Sequence, residues 1–178
     1  MNKWKKSTLI IVVLAIIIAG VAADLLSKAL MESLKTQGKL PHYFFGTVGF
    51  VWRENAGGAW SIFESFSGKN VLFFIITLLG IPLFLGLLFI GRKKSVIGIV
   101  GYSAAVAGTL GNAFDRLTRG AEFYSGRVRD FLSIGDWFPV FNIADSLLVG
   151  GVICIILAIM FFDDDSFIVS LKKEKKNK

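Results

Sequence analysis

Acids, amides and bases recur in this sequence at the edges of long apolar runs, and their spacing is helical. Asp24 and Lys28 are four apart, Asn112 and Asp115 three, Asn112 and Arg116 four, and Asn142 and Asp145 three. Each of these pairs shares one face of a helix. Asp145 has no cation within one helical turn, and a second acid, Asp130, lies in the segment leading up to it. Two carboxyl groups in one confined site cannot both ionise comfortably, so one keeps a proton while the other accepts one. Such a pair suits the activation of water against a peptide bond. Asp24–Lys28 and Asp115–Arg116 put an acid beside a base, and their simplest reading is structural: ion pairs that tie helices together.

Other chemistries are poorly provided for. A single cysteine, Cys154, rules out an intramolecular disulfide framework, and a single histidine, His42, is too few for a His-rich metal site. Ser-His and Cys-His mechanisms are weakened for the same reason. Cys154 lies among Ile and Leu and reads as a small buried apolar residue. The acidic run Asp163–Asp165 reads as a solvated helix end.

The elements that must position these groups are membrane spans. Of 178 residues 54% are apolar, a further 19 are glycine and only 19% are charged. Mean hydropathy is +0.65. Crossing a bilayer core about 30 Å thick takes roughly 20 apolar helical residues, and four segments qualify, at about 8–26, 71–90, 96–116 and 141–162. Pro82 lies inside the second, where neighbouring helices can satisfy the freed carbonyl. The first segment, preceded by Lys3, Lys5 and Lys6, also has the outline of a cleavable signal peptide, but its apolar run is longer than a usual signal core and it is read as a retained span.

The net charge of +7 would suggest nucleic acid in a soluble protein; here its distribution points to the membrane instead, and no nucleic-acid partner is expected. Lys3, Lys5 and Lys6, then Arg92, Lys93 and Lys94, then five lysines within Lys172–Lys178 all fall on one side of a four-span layout. The positive-inside rule makes that side the cytoplasm and puts both termini there. The terminal lysines read as an anchor touching anionic lipid. Every ionisable group named at the outset then lies near the opposite, outer face. The expected fold is an all-α polytopic membrane protein, a single membrane domain over 1–178. A small extracytoplasmic β-sheet is expected from the strand formers Tyr43–Trp52 in the first outer loop. A short interfacial helix over Gly58–Phe66 would offer Trp60, Ile62, Phe63 and Phe66 to the headgroups. Small residues at Gly101, Ala104, Ala105, Gly108 and Gly111 would let another helix approach the third span closely.

Five motifs taken in order, Asp24-Leu-Leu-Ser-Lys28, Asn55-Ala-Gly-Gly-Ala-Trp60, Gly111-Asn-Ala-Phe-Asp-Arg116, Val128-Arg-Asp-Phe-Leu132 and Phe141-Asn-Ile-Ala-Asp-Ser146, closely resemble those of the lipoprotein signal peptidases, or signal peptidase II. The resemblance covers about Asp24 to Ser146 and includes the four-span layout. It implies an aspartyl endopeptidase of the bacterial inner membrane. Such an enzyme removes the signal peptide of a prolipoprotein on the amino side of a cysteine carrying diacylglycerol. It implies a catalytic dyad of Asp130 and Asp145, with Asn55, Gly57, Asn112, Arg116 and Asn142 holding substrate or ordering the dyad. Asp24, Lys28 and Asp115 would be supporting positions. No metal or organic cofactor is required, the partners are lipid-modified precursors and membrane lipid, and a site within one chain needs no second subunit.

Two departures from the family pattern stand out. The connection from Arg116 to Asp130 carries a small insertion around Ala121–Ser125, and Arg129 stands where an apolar residue is more usual. An arginine beside Asp130 is expected to lower that acid's pKa and leave Asp145 as the protonated partner. The rival reading is a small transporter or proton-conducting protein, since acids and arginines mark such pathways too. A conduction path, however, needs polar residues through the full thickness of the membrane.

Overall fold

The computed structural model describes residues 5–40, 47–56, 65–90 and 94–163. Its elements in chain order are α1 (Lys6–Thr36), β1 (Val48–Asn55), α2 (Lys69–Phe89), α3 (Val96–Thr118), β2 (Val128–Ile134) and α4 (Ile143–Leu157), the last continued by a π-helical turn over Ala158–Phe162. The expected interfacial helix and its aromatics up to Phe63 fall outside the described residues, as do Gly57 and His42.

Four helices are long and apolar enough to cross a membrane. The apolar part of α1 ends near Leu26. There the helix runs on past the apolar stretch to Thr36, so its 31 residues span about 46 Å. Leu, Lys, Ala, Met and Glu dominate this extension and are good helix formers. The acids and base of Asp24, Lys28 and Glu32 also fall four apart, on a face that packs against the rest of the bundle.

α3 is the inner helix, running parallel to α1 and antiparallel to α2 and α4. Its small residues make this possible. A β-carbon on Gly101 would lie 2.9 Å from the Gly151 carbonyl, and one on Gly108 would run into the Ala144 carbonyl of α4. Gly20 of α1 meets Ala107 of α3 in the same way, at 2.8 Å. Cys154 is partly buried in the α3–α4 seam, where a β-carbon on Gly101 would meet it. An apolar core of Val13, Leu88, Ile99, Tyr102, Ala105 and Ile155 draws on all four helices. The opposite faces of α1, α2 and α4 expose Ile11, Ile18, Leu26, Leu79 and Val149, each at least 60% accessible, a surface suited to lipid.

The sheet has two strands, and they come from different loops. β1 pairs with β2 antiparallel, with Arg53 opposite Asp130 and Asn55 opposite Val128, and the register shifts between Phe50 and Arg53. The small sheet expected within the first loop is therefore shared with the second. The cause is non-local: β2 has β1 on one edge and Phe141 on the other, where Phe141 and Leu132 exchange hydrogen bonds of 2.8 and 2.9 Å.

A second correction concerns Asp163. It is not a solvated end but a buried cap on α3, accepting from the Ser95 backbone N–H at 2.8 Å and the Ser95 hydroxyl at 2.7 Å. Its other oxygen lies 3.7 Å from Lys94 Nζ.

The close α3–α4 approach gives a direct test. Gly108→Ala forces α4 outward and costs about 1–3 kcal/mol. Gly150, whose β-carbon would meet nothing within 4 Å, tolerates alanine without loss. Thermal unfolding of the two variants in detergent measures the difference.

Candidate active site

Lys28 is fully buried, and its ammonium group is surrounded by acceptors. It lies 2.7 Å from Asp24 Oδ2 and 3.2 Å from Asp115 Oδ2, and it donates to Asn112 Oδ1 at 3.1 Å. Each of these acceptors leads to a different element. Asp24 Oδ1 accepts from the Ala144 backbone N–H at 2.9 Å, so an acid on α1 satisfies one of the free donors at the N-terminus of α4. Gly111 makes room for that carboxylate, because a β-carbon there would lie 2.5 Å from Asp24 Oδ2.

Asp115 turns to β2. Its carboxylate receives the Arg129 guanidinium, with Nη2 at 2.6 Å and Nε at 3.2 Å, and also the Arg129 backbone N–H at 3.0 Å. Arg129 Nη1 then reaches Glu32 Oε2 at 3.1 Å, and Glu32 is held bidentately by Arg119 at 2.6 and 3.1 Å. The ionic chain therefore runs Asp24, Lys28, Asp115, Arg129, Glu32, Arg119, alternating in sign. The expected Asp115–Arg116 pair is not what forms: Asp115 is paired with Lys28 and Arg129.

Asn112 and Asn142 carry the network to the two remaining acids. Asn142 is the N-cap of α4 and forms a capping box with Asp145: its side-chain oxygen accepts from the Asp145 N–H at 2.8 Å, and its own N–H donates to Asp145 Oδ2 at 3.1 Å. Its side-chain Nδ2 donates to Asp130 Oδ1 at 2.7 Å and to Asn112 Oδ1 at 3.0 Å. Asn112 Nδ2 donates to Asp145 Oδ1 at 2.7 Å. Asn55, at the end of β1, donates to Asp130 Oδ2 at 3.0 Å. The Arg116 guanidinium rests on the Phe73 ring at 4.2 Å, within electrostatic reach of Asp145, Asp130 and Asp115.

Of the residues singled out from the sequence, Asp24, Lys28, Asn55, Asn112, Asp115, Arg116, Asp130, Asn142 and Asp145 thus converge, and Gly57 lies outside the described residues. Glu32, Arg119 and Phe73 are residues the sequence reading does not single out, and of Tyr124 it marks only the insertion around Ala121–Ser125 that contains it. The spacing of Glu32, four past Lys28, was a usable signal; the aromatic contacts had none.

The expectation for Arg129 is overturned. Neighbouring residues on a strand point to opposite faces, so Arg129 turns to Asp115 and Glu32 while Asp130 turns to Asn142 and Asn55. Burial pushes the Asp130 carboxyl up to about 7, and the neighbouring charge of Asp145 adds to the rise. Asp130 is thus lifted toward neutrality, opposite to the lowering expected from Arg129.

Comparison with known proteins agrees with this architecture. The family described as Signal peptidase (SPase) II matches residues 10–161. A lipoprotein signal peptidase of Enterococcus faecalis is 36% identical over 137 residues, covering 77% of this chain and 80% of the relative. That of Mycobacterium leprae is 32% identical over 145 residues, covering 80% and 69%. A bacterial membrane enzyme solved by the in meso method at 1.9 Å superposes with a TM-score of 0.67 at 30% identity, over 90% of this chain and 97% of the other. Another, solved at 2.3 Å, gives 0.64 at 30% identity over 99% and 94%. Apolar helices of membrane-crossing length, joined to these matches, define a multi-pass membrane peptidase of the aspartic type. The chain belongs to the signal peptidase II family.

Lys28→Met removes the cation that Asp24 and Asp115 share and leaves the buried Asp24 carboxylate without one, a loss of about 3–5 kcal/mol. Glu32→Gln, at the more exposed end of the chain, costs under about 1 kcal/mol. Unfolding in detergent at neutral pH separates the two.

Proposed function

We propose that Asp130 and Asp145 are the catalytic dyad with which this enzyme removes signal peptides from prolipoproteins. The observation that carries the proposal is Asn142: one residue donates to Asp130 from its side chain and to Asp145 from its backbone. A carboxyl from a strand and another from a helix terminus are thereby held against a shared partner. Asp145 stands in the first turn of α4, in the positive end of the helix dipole, and both its oxygens accept hydrogen bonds. It takes the role of the carboxylate that removes a proton from water. Asp130, lifted to about 7, gives its proton to the scissile carbonyl oxygen, and the two exchange roles as the amine departs. Arg116 supplies positive charge beside the developing oxyanion, and Asn55, Asn112 and Asn142 order the pair.

The membrane placement supports the same reading. With the lysine-rich ends in the cytoplasm, the dyad lies near the outer leaflet of the bacterial inner membrane. A cysteine whose acyl chains remain in the bilayer presents its neighbouring peptide bond at that depth. Cleavage is therefore assigned to the amino side of the diacylglyceryl-modified cysteine. A conducting pathway finds no support, because among the described residues the polar cluster does not continue through the apolar core of Val13, Leu88, Ile99 and Ile155.

Asp130→Asn and Asp145→Asn each abolish cleavage of a lipidated precursor while the chain stays folded. Normal processing by both would remove the dyad. In the parent, cleavage falls as pH rises through about 7, where Asp130 loses its proton. The same shift has a stability consequence. The carboxyl is raised from 3.8 to about 7, so the native state resists ionisation that the unfolded chain permits. Parent stability declines across that window and levels off above it. Asp130→Asn, which cannot ionise, gains on the parent over the same range, as melting temperatures against pH would show.

A further inference from the structure

The segment 119–127 between α3 and β2 is folded tightly onto the end of α3. The Arg119 N–H donates to the Asp115 carbonyl and the Gly126 N–H to the Arg116 carbonyl, both at 3.0 Å, while Ser125 Oγ bridges the Glu122 backbone. A β-carbon on Gly126 would run into the Asp115 carbonyl, so only glycine closes the loop there. The fold drives Tyr124 inward in a left-handed conformation, φ 57°, the one positive φ outside glycine among the described residues. Bulky side chains avoid that region unless their surroundings hold them.

What holds Tyr124 is α2. Its hydroxyl lies 2.6 Å from Thr77 Oγ1, its ring meets Phe74 edge-on at 5.6 Å, and it is 2% exposed. Thr77 and Phe73 are four apart and share one face of α2, and Phe73 is the ring that carries Arg116. Among the described residues Arg116 has little else to fix it. Its hydrogen bond to the Asn112 carbonyl is long, at 3.5 Å, and its charged neighbours Asp115, Asp130 and Asp145 engage it through space, with the Tyr124 phenol beside it.

We propose that Tyr124 is a positioning residue: bonded to Thr77, it locks the 119–127 loop to α2 and holds the Arg116 guanidinium between Phe73 and the paired carboxyls. The assignment rests on the reading of Asp130 and Asp145 as the reacting groups. It gives the loop a task in the reaction, since the loop's only grip on α2 through a hydrogen bond, among the described contacts, is this phenol.

The test uses the full-length chain in detergent with a diacylglyceryl precursor peptide. Tyr124→Phe keeps the ring and removes the hydroxyl. It is expected to lower kcat about five- to tenfold with KM nearly unchanged. Thr77→Val reproduces the loss, and the double variant adds nothing, because both remove one bond. With the guanidinium less firmly held, the carboxyl pair ionises less readily, so the limbs of the pH–rate profile move up by about half a unit. In an Arg116→Lys background the Tyr124→Phe loss shrinks toward nothing. A Tyr124→Phe enzyme with parental kcat and pH profile overturns the assignment, as does an undiminished loss in the Arg116→Lys background. Equal cleavage by the parent and Asp130→Asn sinks the dyad itself. An inactive Asp130→Asn beside a silent Tyr124→Phe sinks only the role of the tyrosine.

Discussion

A lysine ammonium held at 0% exposure inside a bundle of apolar helices is expensive unless every charge and proton it carries is answered. Lys28 has three N–H groups, and around it stand three acceptors: Asp24, Asp115 and Asn112. None comes from the lipid side. Asp24 is on the same helix, and the other two are on α3, so neutralising Lys28 fixes how α1 turns against α3. The small residues at Gly20 and Ala107 bring the two backbones close enough for the pairing to occur. Packing and electrostatics here are one constraint, because a bulkier seam would separate the charges.

From that centre the network spreads by leftover valence. Asp24 has a second oxygen, and it caps α4 through the Ala144 N–H. Asp115 has one too, and it takes the Arg129 guanidinium, while the oxygen that faces Lys28 also accepts the Arg129 backbone N–H. Asn112 uses its carbonyl on Lys28 and its amide on Asp145. The N-terminus of α4 and the middle of β2 are thus both tied to the same buried charge, and those are the two places where Asp145 and Asp130 reside. A functional site built on the termini of elements needs such a supporting layer, since termini are otherwise the least fixed parts of a helix bundle.

How far the sequence announced this depends on the range of the interaction. The spans were legible because hydropathy is a local property, and the helical pairs were legible because i, i+3 and i, i+4 spacing is local too. The extension of α1 was missed because hydropathy stops at the lipid boundary whereas the helix stops where its partners run out, beyond Glu32. The partner of β1 lay in another loop, and no local pattern identifies a strand pairing between segments some eighty positions apart. Asp163 looked solvated because its neighbours are acids, yet its carboxylate is spent on Ser95 at the start of α3. The family resemblance brought the named site residues together on one list; it did not say which of them touch.

Arg129 shows why adjacency in sequence misleads about charge. Counted along the chain, a guanidinium beside Asp130 ought to stabilise its anion. Placed in a strand, the two side chains diverge to opposite faces, and the arginine's charge is absorbed by Asp115 and Glu32. Asp130 is left among neutral amide donors, buried, and facing another acid. Strand geometry therefore does what a change of residue type would otherwise have to do: it separates a structural cation from the carboxyl that the proposed mechanism needs protonated. Arg116, within electrostatic reach of both acids, approaches from α3 and is seated on an aromatic ring rather than in a carboxylate fork. An arginine bound bidentately to Asp130 would fix the anion and forfeit the proton. One resting on Phe73 keeps its charge near both acids while leaving them free to trade that proton, as the proposed mechanism requires.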